Sequence, residues 1–581
     1  MLGCSKGAHL MTHALRSLIG LAASTALVAG VITTVPAAQA AGWTSQAVAV
    51  SDEIFLPRVG LALQRQVGSA VVDSSGVQHV AYVDSEAIKV VSGTRQWSAP
   101  ATAVAAADIN DLDDFHLAVQ ADTLAIVLLD ETPRGIKRIR VSRLSGGVWQ
   151  LSDTLLYSKA VAPRDITVTN IGSMLYVAFA DPQGVISRSY APAVWQVPLA
   201  GTPSELPAID GVTDIGDGFI TASGPNHLAY AWLQEEGSTD LGPFALTLSF
   251  FDTRTRSWSS PAVVDERVYE LDLVGSAAAA SSGATGMLVW ESVAADRDRR
   301  IRAATLRSGA LDATRAATPD NVSRADDLRA IFNGSADAAI AVCRCPFTQD
   351  SMPSGDFDRN SIRSMVIPAT GAIPTFTVIA GRDADAQGRP VTPSPRIFLD
   401  AEHLTLAGPA TGSLTASIGW EESDASTPTL HLASYGTGGW SSVSDVAPGQ
   451  WPLAVPTATP NVLGWGLNEP YALTQYTSVH EPRPTPAEPT VVIVGSRAKP
   501  RVLLIEGTTT NIADGTEVTP KIRMVKRGKK WQTLRDVTVS SADDVDGSFR
   551  VRKTRANKKK EFMAYVVIDG LRSNTVTIGR G

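Results

Sequence analysis

The chain has 581 residues, a formal net charge of −7 and 44% hydrophobic residues, a balance typical of a folded protein and not of a disordered one. The charge is unevenly divided: residues 491–581 carry 19 Lys and Arg against 9 Asp and Glu, whereas residues 41–490 carry 30 against 49. An acidic body disfavours non-specific binding to nucleic acid, while a basic C-terminal part is expected to be attracted to anionic polymers.

Residues 1–40 have the pattern of a signal peptide. Lys6 and Arg16 give a positive start, residues 18–35 are mostly small and apolar, and Ala38-Gln39-Ala40 fits the small-x-small cleavage rule. We expect a mature chain that begins at Ala41 and is secreted, either extracellular or associated with the cell envelope. No later segment reaches the roughly 20 apolar residues that span a bilayer.

A four-part unit recurs along the chain about every 50 residues. In its first copy, Ser69–Val72 predicts a strand A, residues 79–83 a strand B, residues 88–91 a strand C, and Trp97 the start of a strand D. Short apolar runs bounded by Gly, Ser and Asp are typical of antiparallel strands joined by tight turns. The sequence therefore predicts an all-β repeat.

The later copies keep the same order. Strands B and C are predicted at 124–130 and 139–144, 175–181 and 185–190, 228–233 and 246–250, 287–291 and 301–306, 338–343 and 362–367, and 415–421 and 430–435. The tryptophans expected to open strand D are Trp149, Trp195, Trp258 and Trp440.

The two ends of the repeat complement each other. Residues 453–457, 462–467 and 471–477 predict strands A, B and C of a last unit without a strand D, whereas Trp43 opens a strand of type D that has no unit of its own. Joining the chain ends within one sheet is how a β-propeller closes its ring. We predict an eight-bladed propeller over residues 41–477, or a seven-bladed one if the last fragment docks outside the ring.

The C-terminal part differs from the repeat. Residues 478–489 are rich in proline and predict an extended linker. Residues 490–581 then alternate as short strands at 501–505, 518–525, 549–553 and 562–568, which is typical of a small immunoglobulin-like β-sandwich.

Several polar and aromatic residues return at the same place in each unit, whereas an active site needs its carboxylates only once. The repeated acids are Asp84, Asp130, Asp181, Glu291, Glu421 and Glu422. We interpret them as turn residues that bond local backbone N–H groups, and the tryptophans, together with His79 and His227, as packing residues.

Residues that do not repeat are better candidates for function. The long connection 344–360 carries Phe347, Asp350, Asp356 and Asp358, and insertions on one face of a repeat protein often build a binding surface. We predict these four as ligand-binding residues, with a solvated loop as the alternative. Bound calcium is conceivable at Asp356 and Asp358, but no twelve-residue calcium loop surrounds them, so we predict no metal site and no cofactor.

Two dense basic runs mark the C-terminal part. The candidate residues for binding an anionic envelope polymer are Lys526, Arg527, Lys529, Lys530, Lys558, Lys559 and Lys560. Lysines that protect sheet edges are the alternative interpretation. Cys343 and Cys345 are the only cysteines after the signal peptide, and we expect inert or reduced thiols there in preference to a bridge or a metal site.

The pattern D-x-x-G-x-x-H-V-A-Y from Asp73 to Tyr82, followed by G-x-x-x-W from Gly93 to Trp97, resembles the blades of secreted bacterial propellers of the sialidase superfamily. The resemblance covers residues 43–477 and implies a fold that serves many functions. Sialidases add an S-x-D-x-G-x-T-W turn, three arginines and a Tyr–Glu nucleophile pair. This chain lacks the turn, and Arg58 and Tyr269-Glu270 do not match the motif.

The C-terminal part resembles the appended Ig-like modules of exported actinobacterial proteins, with a loose G-x-x-W-x-x-L from Gly528 and a D-G-S-F turn from Asp546. Such modules imply adhesion or display at the cell surface.

No serine-hydrolase elbow, zinc-protease helix or phosphate-binding loop occurs in the sequence, and no catalytic residue is assigned. We expect a monomeric secreted or cell-surface binding or scaffold protein, with a glycan, wall polymer or protein as partner and no nucleic acid. A glycoside hydrolase of sialidase-like type is the alternative.

Overall fold

The computed structural model consists almost entirely of β-strands. It describes residues 43–51, 69–94, 96–184, 189–234, 244–293, 299–316, 326–346, 360–374, 377–380, 383–384, 390–392, 401–422, 428–446, 450–465, 471–479, 490–510, 517–525, 530–533, 537–538, 548–554, 556–557, 559–568 and 571–580. In these residues the single helix is a 3-10 turn, Ala106–Asp108. The all-β prediction is confirmed, whereas the predicted signal peptide and most of the predicted linker lie outside the described residues.

The repeat forms successive antiparallel sheets, which we number 1 to 8; β1 (Trp43–Ser51) precedes sheet 1 in the chain. Sheet 1 contains β2 (Ser69–Val72), β3 (Gln78–Asp84), β4 (Ala87–Gly93) and β5 (Ala101–Val104). Sheet 2 contains β6 (Asp111–Gln120), β7 (Thr123–Glu131), β8 (Lys137–Ser145), β9 (Val148–Leu151) and β10 (Tyr157–Lys159). Sheet 3 contains β11 (Arg164–Ile171), β12 (Met174–Pro182), β13 (Tyr190–Pro198) and β14 (Ser204–Glu205).

Sheets 4 and 5 share one long strand, β19. Sheet 4 contains β15 (Ile215–Ala222), β16 (His227–Gln234), β17 (Phe244–Asp252), β18 (Ser257–Trp258) and the first part of β19 (Ala262–Gly275). Sheet 5 contains the second part of β19, β20 (Gly286–Val293), β21 (Arg299–Arg307), β22 (Ala310–Leu311) and β23 (Arg315–Ala316). One strand therefore ends one unit and begins the next.

The remaining units follow the same plan. Sheet 6 contains β24 (Asp326–Asn333), β25 (Ala338–Pro346), β26 (Asn360–Pro368) and β27 (Thr377–Ala380), and a small hairpin of β28 (Asp383–Ala384) and β29 (Pro390–Thr392) follows it. Sheet 7 contains β30 (Ala401–Ala407), β31 (Ala416–Glu422), β32 (Thr429–Gly436), β33 (Gly439–Trp440) and β34 (Ser444–Val446). Sheet 8 contains β35 (Gln450–Val455), β36 (Asn461–Trp465), β37 (Tyr471–Ser478) and β1.

Strand β1 closes the repeat by completing sheet 8. It pairs antiparallel with β37, from Trp43 opposite Ser478 to Ser51 opposite Tyr471. Each backbone N–H and C=O at a sheet edge otherwise needs another partner, so this pairing satisfies the edge of the last sheet. The predicted pairing of the N-terminal strand with the last unit of the repeat is confirmed.

The first strands of the sheets contact one another in a closed circuit. β2 contacts β6, β6 contacts β11, β11 contacts β15, β15 contacts β19, β19 contacts β24, β24 contacts β30, β30 contacts β35, and β35 contacts β2. Side-chain oxygens join some of these neighbours: the Ser69 hydroxyl accepts the Leu117 N–H at 2.9 Å, and the Thr405 hydroxyl accepts the Ala454 N–H at 3.0 Å. Such bonds satisfy backbone groups that have no partner within their own sheet.

The repeated tryptophans bind the preceding sheet, as the packing interpretation expects. The indole N–H of Trp97 donates to Gln475 at 3.2 Å, and that of Trp440 donates to Ser364 at 2.6 Å. Their position differs from the prediction, because each pairs with strand C in a short hairpin before the main outer strand begins. Trp195 is a larger error: it lies within β13, opposite Val177. A partly buried tryptophan fits the sequence pattern of strand C as well as that of strand D. Only the strand pairing shows which of the two strands contains Trp195.

The C-terminal part forms two antiparallel sheets that pack on one core. The first contains β38 (Thr490–Lys499), β39 (Val502–Thr510) and β43 (Ser548–Lys553). The second contains β40 (Glu517–Met524), β41 (Gln532–Thr533), β42 (Val537–Thr538), β44 (Phe562–Ile568), β45 (Leu571–Arg572) and β46 (Val576–Ile578). Ile493 and Ile505 from the first sheet pack with Ala564 and Val566 from the second.

Candidate binding face of the repeat body

The first strands of most sheets are interrupted by a bulge near their beginning. The register shifts lie between Leu112 and Asp114, Arg164 and Thr167, Ile215 and Gly218, Val268 and Glu270, Asp326 and Arg329, Glu402 and Thr405, and Gln450 and Leu453. A bulge bends a strand and redirects a side chain. Because it lies opposite the end of the second strand, where the connection to the third strand begins, we call this side of the sheets the bulge edge.

Three bulges contain a residue in the left-handed region. Asp165 has φ 53°, Asp327 has φ 52° and His403 has φ 52°. Asp and His are among the non-glycine residues that tolerate this region best, and such backbone is concentrated at functional sites. The sequence alternation gave no sign of these positions, because a bulge adds one residue without changing the composition of the strand.

Ion pairs and one histidine–carboxylate contact hold several bulge side chains against neighbouring strands. Lys137 lies 2.6 Å from Asp113, Arg344 lies 3.3 Å from Asp327, and the His403 ring lies 3.3 Å from Glu421. Burial lowers the pKa of Lys137, but its hydrogen bonds with Asp113 and Glu131 outweigh burial and raise that pKa overall. These contacts therefore hold the side chains at the bulge edge in place.

The repeated acids after strand B make similar pairs, which corrects the interpretation that they only cap turns. Asp130 is fully buried and binds the guanidinium groups of Arg138 and Arg140. Asp181 lies 2.6 Å from Lys159. A carboxylate at the end of strand B can reach cations on adjacent strands, so side chains, and not only local N–H groups, are its partners. These contacts agree with the interpretation that the repeated acids have a structural role and are not active-site residues.

One acidic pair at the bulge edge is different. The carboxyl groups of Asp165 on β11 and Asp217 on β15 lie within hydrogen-bonding distance of each other across the boundary between sheets 3 and 4. Burial, followed by the charge of Asp217, raises the pKa of Asp165 well above its usual value; burial also raises the pKa of Asp217, while Arg164 acts in the opposite direction on both. A carboxylate this close to Asp165 disfavours its ionisation, which agrees with the direction of the shift in its pKa.

A buried tyrosine lies beside this pair. Tyr230 on β16 is completely buried, its hydroxyl has no hydrogen-bond partner among the described residues, and burial followed by the charge of Asp165 raises its pKa. The hydroxyl occupies the space that a side chain at Gly218 would need, since a Cβ there would come within 2.2 Å of it. Glycine at the bulge therefore admits the tyrosine to the neighbourhood of the carboxyl pair.

The arrangement does not match glycoside hydrolysis. Glycosidases hold their two carboxyls roughly 5 to 9 Å apart, leaving room for a sugar bond or a water molecule. Asp165 and Asp217 are hydrogen-bonding neighbours, which leaves no such space between them. Within the described part of the chain, no group of three or more His, Cys, Asp or Glu side chains is arranged to hold a metal ion.

No family model matches the chain, and no curated protein matches it. Among solved structures it is similar to a protein of unknown function from Dyadobacter fermentans, with a TM-score of 0.32 and 9% identity over 56% of this chain and 99% of that one. It is also similar to an exo-β-1,3-galactanase from Phanerochaete chrysosporium, with a TM-score of 0.28 and 8% identity over 92% and 98%. A Hadza microbial sialidase, Hz136, has a TM-score of 0.29 and 12% identity over 54% and 65%. At these scores the likenesses carry no weight for function.

The predicted ligand-binding residues Phe347, Asp350, Asp356 and Asp358 lie outside the described residues. Their connection leaves sheet 6 after Pro346 and returns at Asn360, and Arg344 is paired with Asp326 at the start of β24. The connection therefore opens at the bulge edge.

Of the predicted polymer-binding residues, Lys526, Arg527, Lys529 and Lys558 lie outside the described residues, while Lys530, Lys559 and Lys560 are exposed. Cys343 corrects the expectation of free thiols, because it is disulfide-bonded. Cys345 lies two residues further along the same strand. In the described part of the chain, no helix has the length and apolar character needed to cross a membrane.

Proposed function

We propose that the chain is an exported binding protein with two parts. The repeat body is an eight-bladed β-propeller that engages a glycan or protein ligand, and the C-terminal part is an Ig-like sandwich that tethers the molecule to an anionic envelope polymer. The pairing of β1 with β37 and the closed circuit of first strands support the propeller. The signal-peptide pattern of residues 1–40 supports export.

The observation that carries the binding role is the row of bulges at one edge of the body. Successive first strands place polar side chains there, among them Asp113, Asp165, Asp327 and His403. The longest connection between a second and a third strand, residues 347–359, leaves from the same edge. A rigid scaffold with long connections on one side is the usual arrangement of a binding face.

Binding is favoured over hydrolysis because the acids described at this edge are engaged with other side chains. Asp113 and Asp327 are in ion pairs, Glu421 contacts the His403 ring, and Asp165 and Asp217 lie against each other. Most glycosidases need one carboxyl as a proton donor and a second, separate carboxyl as base or nucleophile, and sialidases use a Tyr–Glu pair in its place. The charge division supports the tether, since an acidic body and a basic C-terminal part prefer different partners.

A glycan array probed with the mature chain, residues 41–581, tests the first half of the proposal. We expect binding to a limited set of glycans without release of reducing ends during long incubation. Release of reducing ends that disappears in D165N and D217N would replace the proposal with a glycoside hydrolase. An array without any bound glycan would exclude a glycan as the ligand and leave a protein.

The tether is tested by sedimentation with cell-wall fractions across a salt series. The mature chain and a chain ending at residue 479 are compared. We expect the mature chain to bind at low ionic strength and to be released as salt is added, because screening weakens exposed charge contacts. Equal sedimentation of the two chains would exclude the C-terminal part as the tether.

A further inference from the structure

The second C-terminal sheet has one face on the core and one face outward. Along β44, Phe562, Ala564 and Val566 are buried, while Met563 and Tyr565 alternate with them and are only partly buried. Tyr565 lies opposite Lys521 on β40, and Arg523 lies opposite Met563. Side chains two residues apart on a strand share a face. The outward face therefore combines cationic and aromatic side chains with Met563.

Four of these side chains form a continuous stack. The guanidinium of Arg523 lies 4.6 Å from the ring centre of Trp531, the Trp531 ring meets the Tyr565 ring edge-to-face at 4.6 Å, and the guanidinium of Arg572 lies 4.0 Å from the centre of Tyr565. Lys521 beside them donates to the Thr533 hydroxyl at 2.6 Å. We call Lys521, Arg523, Trp531, Tyr565 and Arg572 the arginine–aromatic face.

Stacking on the rings prepares the two arginines for binding. A guanidinium that lies on an aromatic ring is held in one orientation, yet its N–H groups at the edge of the plane can still donate to a carboxylate in a two-pronged bond. Holding the side chain in place beforehand reduces the entropy lost when a ligand binds. Neighbouring strands are about 4.8 Å apart, so a face across four strands extends over roughly 15 Å.

Charge complementarity identifies the ligand as an anion. Three cationic groups meet on this face, and the C-terminal part as a whole carries 19 basic against 9 acidic residues. Two acidic residues of the C-terminal part bind arginines outside the arginine–aromatic face. Glu506 on the other sheet lies 2.7 Å from Arg550, and Glu561 lies 3.8 Å from Arg580. Screening limits the value of isolated exposed charges, so a ligand that contacts all three cations at once gains most.

We propose that the arginine–aromatic face is the binding site for an acidic polysaccharide whose sugar units carry carboxylates. The carboxylates accept bonds from Arg523, Arg572 and Lys521, and the sugar rings contact the partly exposed surfaces of Trp531 and Tyr565. Guanidinium groups already cover one face of each aromatic ring, which disfavours the base stacking that single-stranded nucleic acids require. The inference rests on the proposed tether and names its contact surface, which differs from the basic runs predicted from the sequence.

The experiment measures binding of the full mature chain to immobilised polygalacturonate by surface plasmon resonance. Three double variants are compared with the unchanged chain. R523A/R572A removes two charges from the face, K559A/K560A removes two charges from a predicted basic run, and R523K/R572K keeps the charge but loses the planar guanidinium. The melting temperature of each variant is recorded to establish that it is folded.

We expect R523A/R572A to weaken binding by at least about tenfold, and K559A/K560A by less than about threefold, since only the first pair makes charge-assisted bonds to the ligand. R523K/R572K is expected to weaken binding at unchanged net charge. W531A provides a fourth variant with no charge change and should also weaken binding. Neutral dextran should not bind.

Equal losses of affinity in R523A/R572A and K559A/K560A would contradict the assignment of the arginine–aromatic face as the binding site, while the electrostatic tether would still stand. Absence of binding by the unchanged chain would overturn the tether to carboxylated polymer itself. Equal or tighter binding to polyphosphate or to single-stranded DNA would exclude the acidic polysaccharide as the specific ligand. If R523A/R572A unfolds, the lysine variant decides: unchanged affinity in folded R523K/R572K contradicts the proposal.

Discussion

Asp165 and Asp217 place two carboxyl groups within hydrogen-bonding distance across the boundary between sheets 3 and 4. Both residues belong to bulges at the beginning of a first strand, so the same local irregularity in two successive units produces the contact. Burial and the charge of Asp217 raise the pKa of Asp165, and together they outweigh the backbone hydrogen bond from Gly218, which lowers it. The folded chain therefore favours the protonated form of this pair more than the unfolded chain does.

This relationship predicts that stability falls as the pH rises. Burial raises the pKa of Asp165 and of Asp217 above their unfolded values near 3.9, so the folded chain holds a proton that the unfolded chain has released. The stabilisation is complete below about pH 4 and is lost as the pH rises through the raised pKa. We expect D165N to flatten this dependence and to be at least as stable as the unchanged chain at pH 7. Urea unfolding at a series of pH values measures the effect.

Asparagine is the suitable replacement because it tolerates the positive φ of Asp165 and removes only the charge. The matched control is D153N, at an exposed aspartate of sheet 2, which should keep the slope of the unchanged chain. A D165N chain with the same pH slope as the unchanged chain would show that the pair does not hold a proton in the folded state.

Replacing the acid at the end of strand B is expected to lower the free energy of unfolding by different amounts in different units of the repeat. Replacing Asp130 by Asn leaves Arg138 and Arg140 without their buried counter-ion, and breaking such a pair costs about 3 to 5 kcal/mol. Replacing Asp181 by Asn breaks an exposed pair with Lys159, for which about 0 to 1 kcal/mol is expected. The free energies of unfolding of D130N and D181N, from urea titration, test the difference. Equal losses of unfolding free energy would support the turn role that the sequence predicted for both residues.

The sequence predicted the strands and the joining of the chain ends because both depend on local pattern. Alternation, turn residues and a missing fourth strand are visible without knowing any contact, and the pairing of the strand that begins at Trp43 with the last unit follows from them. Trp195 was assigned to the wrong strand because the tryptophan position was inferred from residue type and spacing, and two strands of one unit share that chemistry.

The contacts of the candidate sites could not be predicted in the same way. Asp165 and Asp217 are neighbours only because two bulges shift the register, and a bulge leaves no mark on alternation over so few residues. Arg523 lies on β40, Arg572 lies on β45 and Trp531 directly precedes β41, and the pairing of these strands brings the three side chains together. Sequence could locate the excess of basic residues there, but not the stack they form.

The hydrogen bonds between first strands predict a specific cost. Thr405 accepts the backbone N–H of Ala454 in the next sheet, and T405V removes the acceptor while keeping a similar shape. A buried N–H without a partner costs about 1 to 3 kcal/mol. T405S keeps the hydroxyl and should cost less than T405V. Urea unfolding of the two variants checks this, and a larger loss in T405S than in T405V would mean that the methyl group contributes more to the contact than the hydrogen bond does.

Removal of β1 tests the closure of the repeat body. A chain that begins at residue 52 lacks the partner of β37, so the N–H and C=O groups along Tyr471–Ser478 become an exposed sheet edge. Trp43, Val48 and Ala49, which are buried in the complete chain, are lost from the core as well. We expect a melting temperature lower by several degrees and concentration-dependent association through the free edge. Size-exclusion chromatography and calorimetry measure both, with a chain that begins at residue 41 as the control. A shortened chain that remains monomeric with an unchanged melting temperature would contradict the role of β1 in closing the body.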